Sequence, residues 1–345
     1  MSRNVKIGAF LALAVITTTF TFYFWQIFKT PNLQLEKEES FALLIPEGAT
    51  YQTVLDSLKA HEVVNDQISF RFLAKLLDYP ENVTPGRYVI KPNATNYTVI
   101  KKLLSGVQDP VRLTFNNIRL KEDLVNRIGP RFQFGTNELR TALSDPEVCH
   151  KYGLDTLTVV SMFLPNTYEI FWDVSTEKFL DRMHSEYQKF WNEERQAKAK
   201  AIGLTPVQVA TLASIVEEEQ ARNKDERPRV AGLYLNRLNA QMPLQADPTI
   251  KFALQDFGIK RVLHNQLLVD SPYNTYRYVG LPPGPIRVAD LTSLDAVLNH
   301  EKHNYIYMCA KADLSGYHAF AETYADHLNN ARMYQAALNQ LNIRK

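Results

Sequence analysis

Three consecutive carboxylates, Glu217-Glu218-Glu219, close the apolar run Leu212-Ala213-Ser214-Ile215-Val216. In a helix Leu212, Ile215 and Val216 share one face, and Glu219 continues it at i+7, i+4 and i+3 from them. Glu218 points about 100° away from Glu219, and Glu217 about 200° away. The pattern therefore turns Glu219 toward the protein interior. A carboxyl held against apolar neighbours resists ionising, so its pKa rises and it can donate a proton near neutral pH. A charge run standing alone is more often a solvated helix end, so the assignment needs support from the rest of the chain.

That support comes downstream. Met242-Pro243-Leu244-Gln245-Ala246-Asp247-Pro248-Thr249-Ile250 makes a turn that starts a helix. Asp247 before Pro248 fits a helix N-cap, and it is also the second carboxylate near the acidic motif. Gln245 has no such structural reason and is a candidate binding residue. Ser271-Pro272-Tyr273-Asn274-Thr275-Tyr276 presents aromatic faces and amides together. Sugars use that pairing, because ring faces stack on aromatics while hydroxyls take directed hydrogen bonds. Tyr273, Asn274 and Tyr276 are the candidate contacts, with Asp247. Gly280-Leu281-Pro282-Pro283-Gly284-Pro285-Ile286 is too rigid for a disordered linker. No G-x-S-x-G elbow, P-loop or H-E-x-x-H is present, and His300-Glu301-Lys302-His303 has the wrong spacing for the last. No metal and no cofactor is expected. His318 could line a groove, although a lone histidine is more often packed or capping.

The elements that would position these groups can be read in order. Thr205-Pro206 starts the helix that carries Glu219, with Pro at the first helical position. Before it, Phe179 to Ala201 reads as one long amphipathic helix, and Asn137 to Tyr152 as helical. Met162 to Ile170, broken by Pro165, suits a groove wall or a packed turn equally. After it, Asn223 to Arg229 is a charged break and Val230 to Leu238 a helix. The C-terminal part reads as helix (Ser293 to Leu298), buried strand (Tyr305 to Cys309) and terminal helix (Tyr324 to Leu341).

Nearer the N-terminus the chain repeats itself. Leu44 to Leu55 and Val89 to Ile100 align, with identical pairs Ile45/Ile90, Ala49/Ala94, Thr50/Thr95, Thr53/Thr98 and Val54/Val99. Each copy predicts a short β run, a turn and an amphipathic helix with a hydroxyl residue placed to cap it. A weaker third copy begins at Val111 to Phe115, followed by a helical pattern from Leu120 to Ile128. Another helix, about Ile68 to Leu77, lies between the first two. None of these modules sets a nucleophile beside a base, so they read as binding or spacing units.

Ile7 to Phe28 carries no charge, and as a helix of about 33 Å it can cross a hydrocarbon core of about 30 Å. Arg3 and Lys6 precede it, which favours a cytoplasmic N-terminus. No small-x-small cleavage site follows. The expectation is a single-span anchor in a cytoplasmic membrane with the remainder outside, after a polar tether from Pro31 to Ser40. The 345 residues, 45% apolar and 11% aromatic, can fill real cores. A net charge of +2 and the lack of a basic stripe give no reason to expect nucleic acid. Two cysteines, Cys149 and Cys309, are too few for a disulfide framework.

Taken together, Ala213-Ser214-Ile215-Val216-Glu217-Glu218-Glu219, Val230-Ala231-Gly232, Asn236-Arg237-Leu238, Met242 to Thr249, Tyr273-Asn274-Thr275-Tyr276 and Gly280 to Ile286 resemble, in the same order, the endolytic murein transglycosylase family (MltG, or YceG-like). The resemblance covers nearly the whole chain and implies an N-terminal anchor, LysM-like βα modules and a catalytic domain. The family pattern Ser-Ile-Val-Glu-x-Glu places its essential acid on Glu219, the residue the helix-face argument reached separately. Glu217 fills the first position and is the second candidate, as a supporting acid. The chain departs from the family twice. Asn116-Asn117-Ile118-Arg119 stands where many members repeat a Pro-Glu-Gly turn, and Arg287-Val288-Ala289-Asp290 stands where members often continue Asn-Pro-Gly.

The implied fold is α+β: cytoplasmic tail 1–6, transmembrane anchor 7–28, linker 29–40, LysM-like βα modules 41–135 and a mixed α+β catalytic domain 136–345. The implied activity is non-hydrolytic cleavage of the β-1,4 bond between N-acetylmuramic acid and N-acetylglucosamine in peptidoglycan strands, leaving 1,6-anhydro ends and terminating nascent strands. A setting beside peptidoglycan synthases (penicillin-binding proteins) is a further implication of the resemblance. Two rival functions remain at this stage: a hydrolytic muramidase, which usually needs two flanking carboxylates, and a non-catalytic wall-binding scaffold.

Overall fold

The structure is a computed structural model and describes residues 2–33 and 40–340. Residues 34–39 of the expected tether, and Leu341 at the expected end of the last helix, lie outside the described residues. The chain is mixed α+β and divides into two compact units. One comprises Met1–Leu113, Arg131–Phe134 and Tyr168–Ser175; the other comprises Thr114–Pro130, Gly135–Thr167 and Thr176–Lys345.

In the first unit α1 (Arg3–Lys29) is long and apolar enough to cross a membrane, and most of its side chains are exposed. Only its last turn enters a core, through Ile27, and Phe28 packs on Tyr97 with ring centroids 5.8 Å apart. The internal repeat becomes β1 (Phe41–Ile45) and α2 (Tyr51–Ala60), then β2 (Gly86–Ile90) and α4 (Asn96–Ser105), with α3 (Gln67–Leu76) between them. The repeated threonines have a local reason. Thr50 with Thr53, and Thr95 with Thr98, form reciprocal capping boxes that satisfy free N–H groups at each helix start. The strands of the two copies pair antiparallel with each other, Phe41 opposite Ile90 and Ile45 opposite Gly86. Neither copy buries its apolar face alone; together with α3 they enclose one core containing Leu43, Ile45, Phe70, Leu73, Tyr88 and Ile100.

Next come β3 (Val111–Phe115), α5 (Lys121–Ile128), α6 (Gly135–Ala142), α7 (Pro146–Lys151) and β4 (Asn166–Ile170), with β3 paired to β4. The helix after β3 has no hydroxyl cap, since Leu120 stands at its N-cap, so the third copy lacks the feature that unites the first two. Asp145 and Pro146 end one helix and start the next within 137–152. The segment around Pro165 is a packed turn, with Phe163 and Leu164 buried.

The expected single helix from Phe179 to Ala201 is two, α8 (Thr176–Phe190) and α9 (Glu193–Ala201). Trp191 turns into the core, and the Asn192 side chain caps the new helix by accepting from the Arg195 N–H at 3.0 Å. Then follow α10 (Pro206–Glu219), α11 (Arg227–Asn239), α12 (Asp247–Leu254) and α13 (Leu291–Leu298). The unit ends with β5 (Tyr307–Ala310), β6 (His318–Ala321) and α14 (Tyr324–Gln340). The Cys309 strand was expected to be buried; all four residues of β5 are only half-buried. Among the described residues it pairs with β6 alone, and α14, which packs on that pair, has no buried residue.

Helix α10 is the axis of the second unit. Thr205 caps it in a box with Gln208, Pro206 takes its first position, and every residue from Val209 to Glu217 is buried. Helices α9, α11, α12 and α13 pack around it. A helix apolar nearly all round belongs in a core, so the one-sided face read from the sequence understates its burial.

Candidate functional site

The three carboxylates at the end of α10 have different surroundings. Glu217 is the most buried, which differs from the face argument and follows from the enclosure of α10 on all sides. Its carboxylate meets the Arg287 guanidinium at 3.0 Å and accepts from the Asp290 N–H at 2.7 Å. Burial pushes the Glu217 carboxyl up, while Arg287 and the Asp290 N–H pull it back. The result is a structural ion pair. Glu218 is bound by Arg119 at 2.8 Å and by Arg287. Among the described residues no cation forms an ion pair with Glu219, whose carboxyl accepts from the Tyr234 hydroxyl.

Glu219 is half-buried, so it stays reachable. Its carboxyl is pushed up to about 7. Removal from water is the largest cause; Asp247 adds to it, and His318 and Lys251 oppose it. A carboxylic acid of that strength can both give and take a proton at neutral pH.

The frame around Glu219 is tightly bonded. Buried Arg227 donates to the Gln220 carbonyl at 2.9 Å, just past the end of α10, and pairs with Asp290 at 2.9 Å. Bonds from Arg227, Thr292 and Ser293 hold the Asp290 carboxyl well below the usual range against its burial. The Gln220 side chain donates to Glu226 and to the Gly316 carbonyl. Glu226 in turn fixes His318, accepting from its backbone N–H at 2.9 Å and lying 2.8 Å from its Nδ1. His318 thus sits beside Glu219 in a set orientation, as a neighbour of the acid.

On the facing side Asp247 occupies the first turn of α12 but does not cap it; Ala246 is the N-cap residue and Asp247 instead accepts from the Tyr276 hydroxyl at 2.5 Å. The capping explanation of Asp247 is therefore corrected; its carboxylate is held by Tyr276 and its charge acts on Glu219. Thr275 locks the Tyr276 loop to this turn. Its carbonyl accepts from the Gln245 N–H at 2.9 Å, and its hydroxyl lies 3.1 Å from the Ala246 nitrogen and 2.8 Å from the Thr249 hydroxyl. Gln245 itself is exposed and held at φ +52°, with its side-chain oxygen 3.4 Å from the Arg237 guanidinium. Tyr273 packs on Phe252 with the rings tilted by 48° and their centroids 4.6 Å apart, and burial pushes its hydroxyl up to about 12.

The expectation for Asn274 is revised. It has no exposed surface, and its amide donates to the Leu267 and Val269 carbonyls while its oxygen accepts from the Tyr276 N–H. It staples the loop and leaves no surface for a ligand. Tyr234, Thr275, Arg227 and Arg287 were missed as site-shaping residues. The two family departures meet here: Arg287 donates to Asn117 at 2.8 Å, the Val288 N–H donates to the Ile118 carbonyl at 2.9 Å, and Arg119 holds Glu218. Both were visible in the sequence, but nothing in the spacing linked positions so far apart. Among the described residues no group of three or more His, Cys, Asp or Glu side chains could hold a metal ion.

The profile of the YceG-like family matches residues 43–333. The chain is 27% identical over 312 residues to an endolytic murein transglycosylase of Bacillus subtilis (strain 168), covering 86% of this chain and 85% of that protein. It is also 27% identical over 316 residues to an endolytic murein transglycosylase of Streptococcus pneumoniae (strain D39), covering 83% of this chain and 57% of that protein. The 2.6 Å crystal structure of the yceG-like protein lmo1499 from Listeria monocytogenes superposes with a TM-score of 0.55 at 27% identity, over 84% of this chain and 98% of that one. With the family profile matched over most of its length, the chain belongs to the YceG-like family.

Proposed function

We propose that this protein is a membrane-anchored lytic transglycosylase that cleaves the β-1,4 bond between N-acetylmuramic acid and N-acetylglucosamine in peptidoglycan glycan strands, with Glu219 as its catalytic acid. One observation carries the reading: of three adjacent carboxylates, two are neutralised by arginines and the third is left reachable, partly desolvated and titrating near 7. Protonated Glu219 gives its proton to the glycosidic oxygen as the bond to the muramyl anomeric carbon breaks. The resulting carboxylate takes the proton of the muramyl 6-hydroxyl, whose oxygen bonds to the anomeric carbon. The product carries a 1,6-anhydro end and Glu219 regains its proton. A single acid suffices because the substrate supplies the nucleophile. Gln245, Tyr273 and the Asp247–Tyr276 pair form the wall against which the strand lies, and the Glu226–His318 pair lies beside the acid.

The names of the B. subtilis and S. pneumoniae relatives support the substrate class. The uncharged stretch of α1, with Arg3 and Lys6 in the first turn of the helix, supports a single-span anchor with a cytoplasmic N-terminus and the second unit on the outer side of the cytoplasmic membrane. In this reading the paired βα modules are LysM-like units that bind glycan or set the height of the site. The place of action is the nascent strand beside peptidoglycan synthases.

The proximity of Asp247 to Glu219 favours one alternative, hydrolysis by two carboxylates. Digestion of purified peptidoglycan by the protein and its Glu219→Gln variant, with products weighed by mass spectrometry, separates the two. Anhydro-muramyl ends from the wild type alone support the transglycosylase. Reducing ends support the hydrolase, and anhydro ends from both proteins remove Glu219 from the chemistry.

A further inference from the structure

Among the described residues, one cation that acts on Glu219 is left without an ion pair. Lys251 stands one turn beyond Asp247 on α12, and its charge acts on Glu219. Among the described residues its amine forms no ion pair and no side-chain hydrogen bond. Lys251 borders a cavity of about 110 Å³ that it shares with Arg119, Glu218, Pro248, Phe252, Phe257 and Ile286.

The charges around this cavity do not cancel. Arg119 and Arg287 face Glu217 and Glu218 in a closed network, two cations against two anions. The Arg119 guanidinium also lies 4.5 Å from the centre of the Phe257 ring, which fixes its plane. Of the charged side chains that line the cavity, Arg119 and Glu218 offset each other and Lys251 remains, one net positive charge. The cavity's remaining walls are apolar, with Pro248 and Ile286 buried, and they weaken solvent screening of that charge. The space is too small for a sugar ring and suits a carboxylate with the carbon that bears it.

We propose that the Lys251 cavity is a subsite for a carboxylate carried on the muramyl side arm of the strand. This rests on the transglycosylase reading and deepens it. In an alternating glycan only the muramyl residue bears such an arm, the 3-O-lactyl group; the glucosaminyl residue is uncharged. A carboxylate subsite beside the acid sets the register of the strand, so that a muramyl anomeric carbon and not a glucosaminyl one lies at Glu219. The carboxylate has two sources. In a strand stripped of peptide it is the lactyl carboxylate itself. In a peptide-bearing strand the lactyl group is an amide, and the carboxylate belongs to the stem.

The test measures binding to the full chain carrying Glu219→Gln, so that strands stay intact, with and without Lys251→Gln or Lys251→Arg. Three probes are used: glycan oligomers stripped of peptide, the same oligomers with methyl-esterified lactyl groups, and peptide-bearing oligomers. If the lactyl carboxylate is the ligand, esterification weakens binding about tenfold, as for a charge-assisted pair. Lys251→Gln produces the same loss on the free acid and none on the ester, and Lys251→Arg retains most of the affinity. If a stem carboxylate is the ligand, Lys251→Gln weakens only the peptide-bearing oligomer, and the subsite stands with that source. Unchanged affinity for both strand types in Lys251→Gln, with esterification also without effect, overturns the proposal. The esterified probe needs no substitution at Lys251, so a misfolded variant does not spoil the test. Product analysis of the wild-type digest is read separately: anhydro ends without charge-dependent binding reject the subsite alone, and charge-dependent binding without anhydro ends rejects the transglycosylase reading.

Discussion

Glu219→Gln tests the electrostatics of the site without disturbing its shape, because the amide is nearly isosteric and does not titrate. The Glu219 carboxyl is lifted from 4.5 to about 7, chiefly by removal from water. At about 1.36 kcal/mol per unit, ionising it in the folded protein costs about 3 kcal/mol more than in the unfolded chain, and about 2–3 kcal/mol once its partly exposed surface is allowed for. Because the folded value lies above the unfolded one, the folded protein holds this proton more tightly. The corresponding stability is complete below about pH 4.5 and is lost as the pH rises through about 7. Glutamine removes that dependence. Thermal unfolding of both full-length proteins in detergent should therefore give matching midpoints near pH 4.5. By pH 8 the variant should melt about 5–10 °C higher, at roughly 2–4 °C per kcal/mol for a unit of this size. Other acidic groups titrate alike in both proteins and drop out of the difference. In parallel, the wild-type cleavage rate should fall above about pH 7 as the acid loses its proton. A melting difference that stays constant from pH 4.5 to 8 would refute the claim that Glu219 is held in its neutral form by burial.

Further tests address the frame. Arg287→Gln strands the buried Glu217 carboxylate and should cost about 3–5 kcal/mol at neutral pH; adding Glu217→Gln should recover at least half, and a melting midpoint that ignores both changes would remove the ion pair from the account of α10. Tyr276→Phe deletes the hydroxyl that donates to Asp247, leaving a less satisfied anion near Glu219, so the alkaline limb of the pH–rate profile should move up. A limb that stays in place would take Tyr276 out of the electrostatics of the acid. Thr50→Ala and Thr95→Ala should each lower the stability of the first unit by about 1 kcal/mol, read as faster amide exchange in α2 and α4; equal exchange rates would mean that the capping boxes are not what the repeat preserves.

Local chemistry made much of this legible in advance. The repeat, its capping threonines, the break at Pro206 and the apolar α1 all depend on neighbours within a few residues, and the structure places each where the pattern set it. The motifs from Ser214 to Ile286 offered Glu219, Asp247 and Tyr276 together as candidates through their resemblance to the family. The long helix from Phe179 to Ala201 was misread because charge periodicity runs on through Trp191-Asn192, and only the burial of Trp191 and the new cap break it. For Asp247 the sequence offered a cap beside a role as second carboxylate, because Asp-Pro is a common helix start. Its true partner, Tyr276, lies 29 residues away.

The sequence by itself determined which residue types stand together at the end of α10, because helical periodicity and capping are written in near neighbours. It could not decide how three adjacent carboxylates divide their roles. That depended on Arg119 and Arg287, which reach Glu218 from 99 and 69 residues away, and on Arg287 beside Glu217. Charge on a carboxyl is set by what surrounds it in space, and spacing along the chain carries no record of it. The tertiary structure neutralised two of the acids and left Glu219 the one near neutrality.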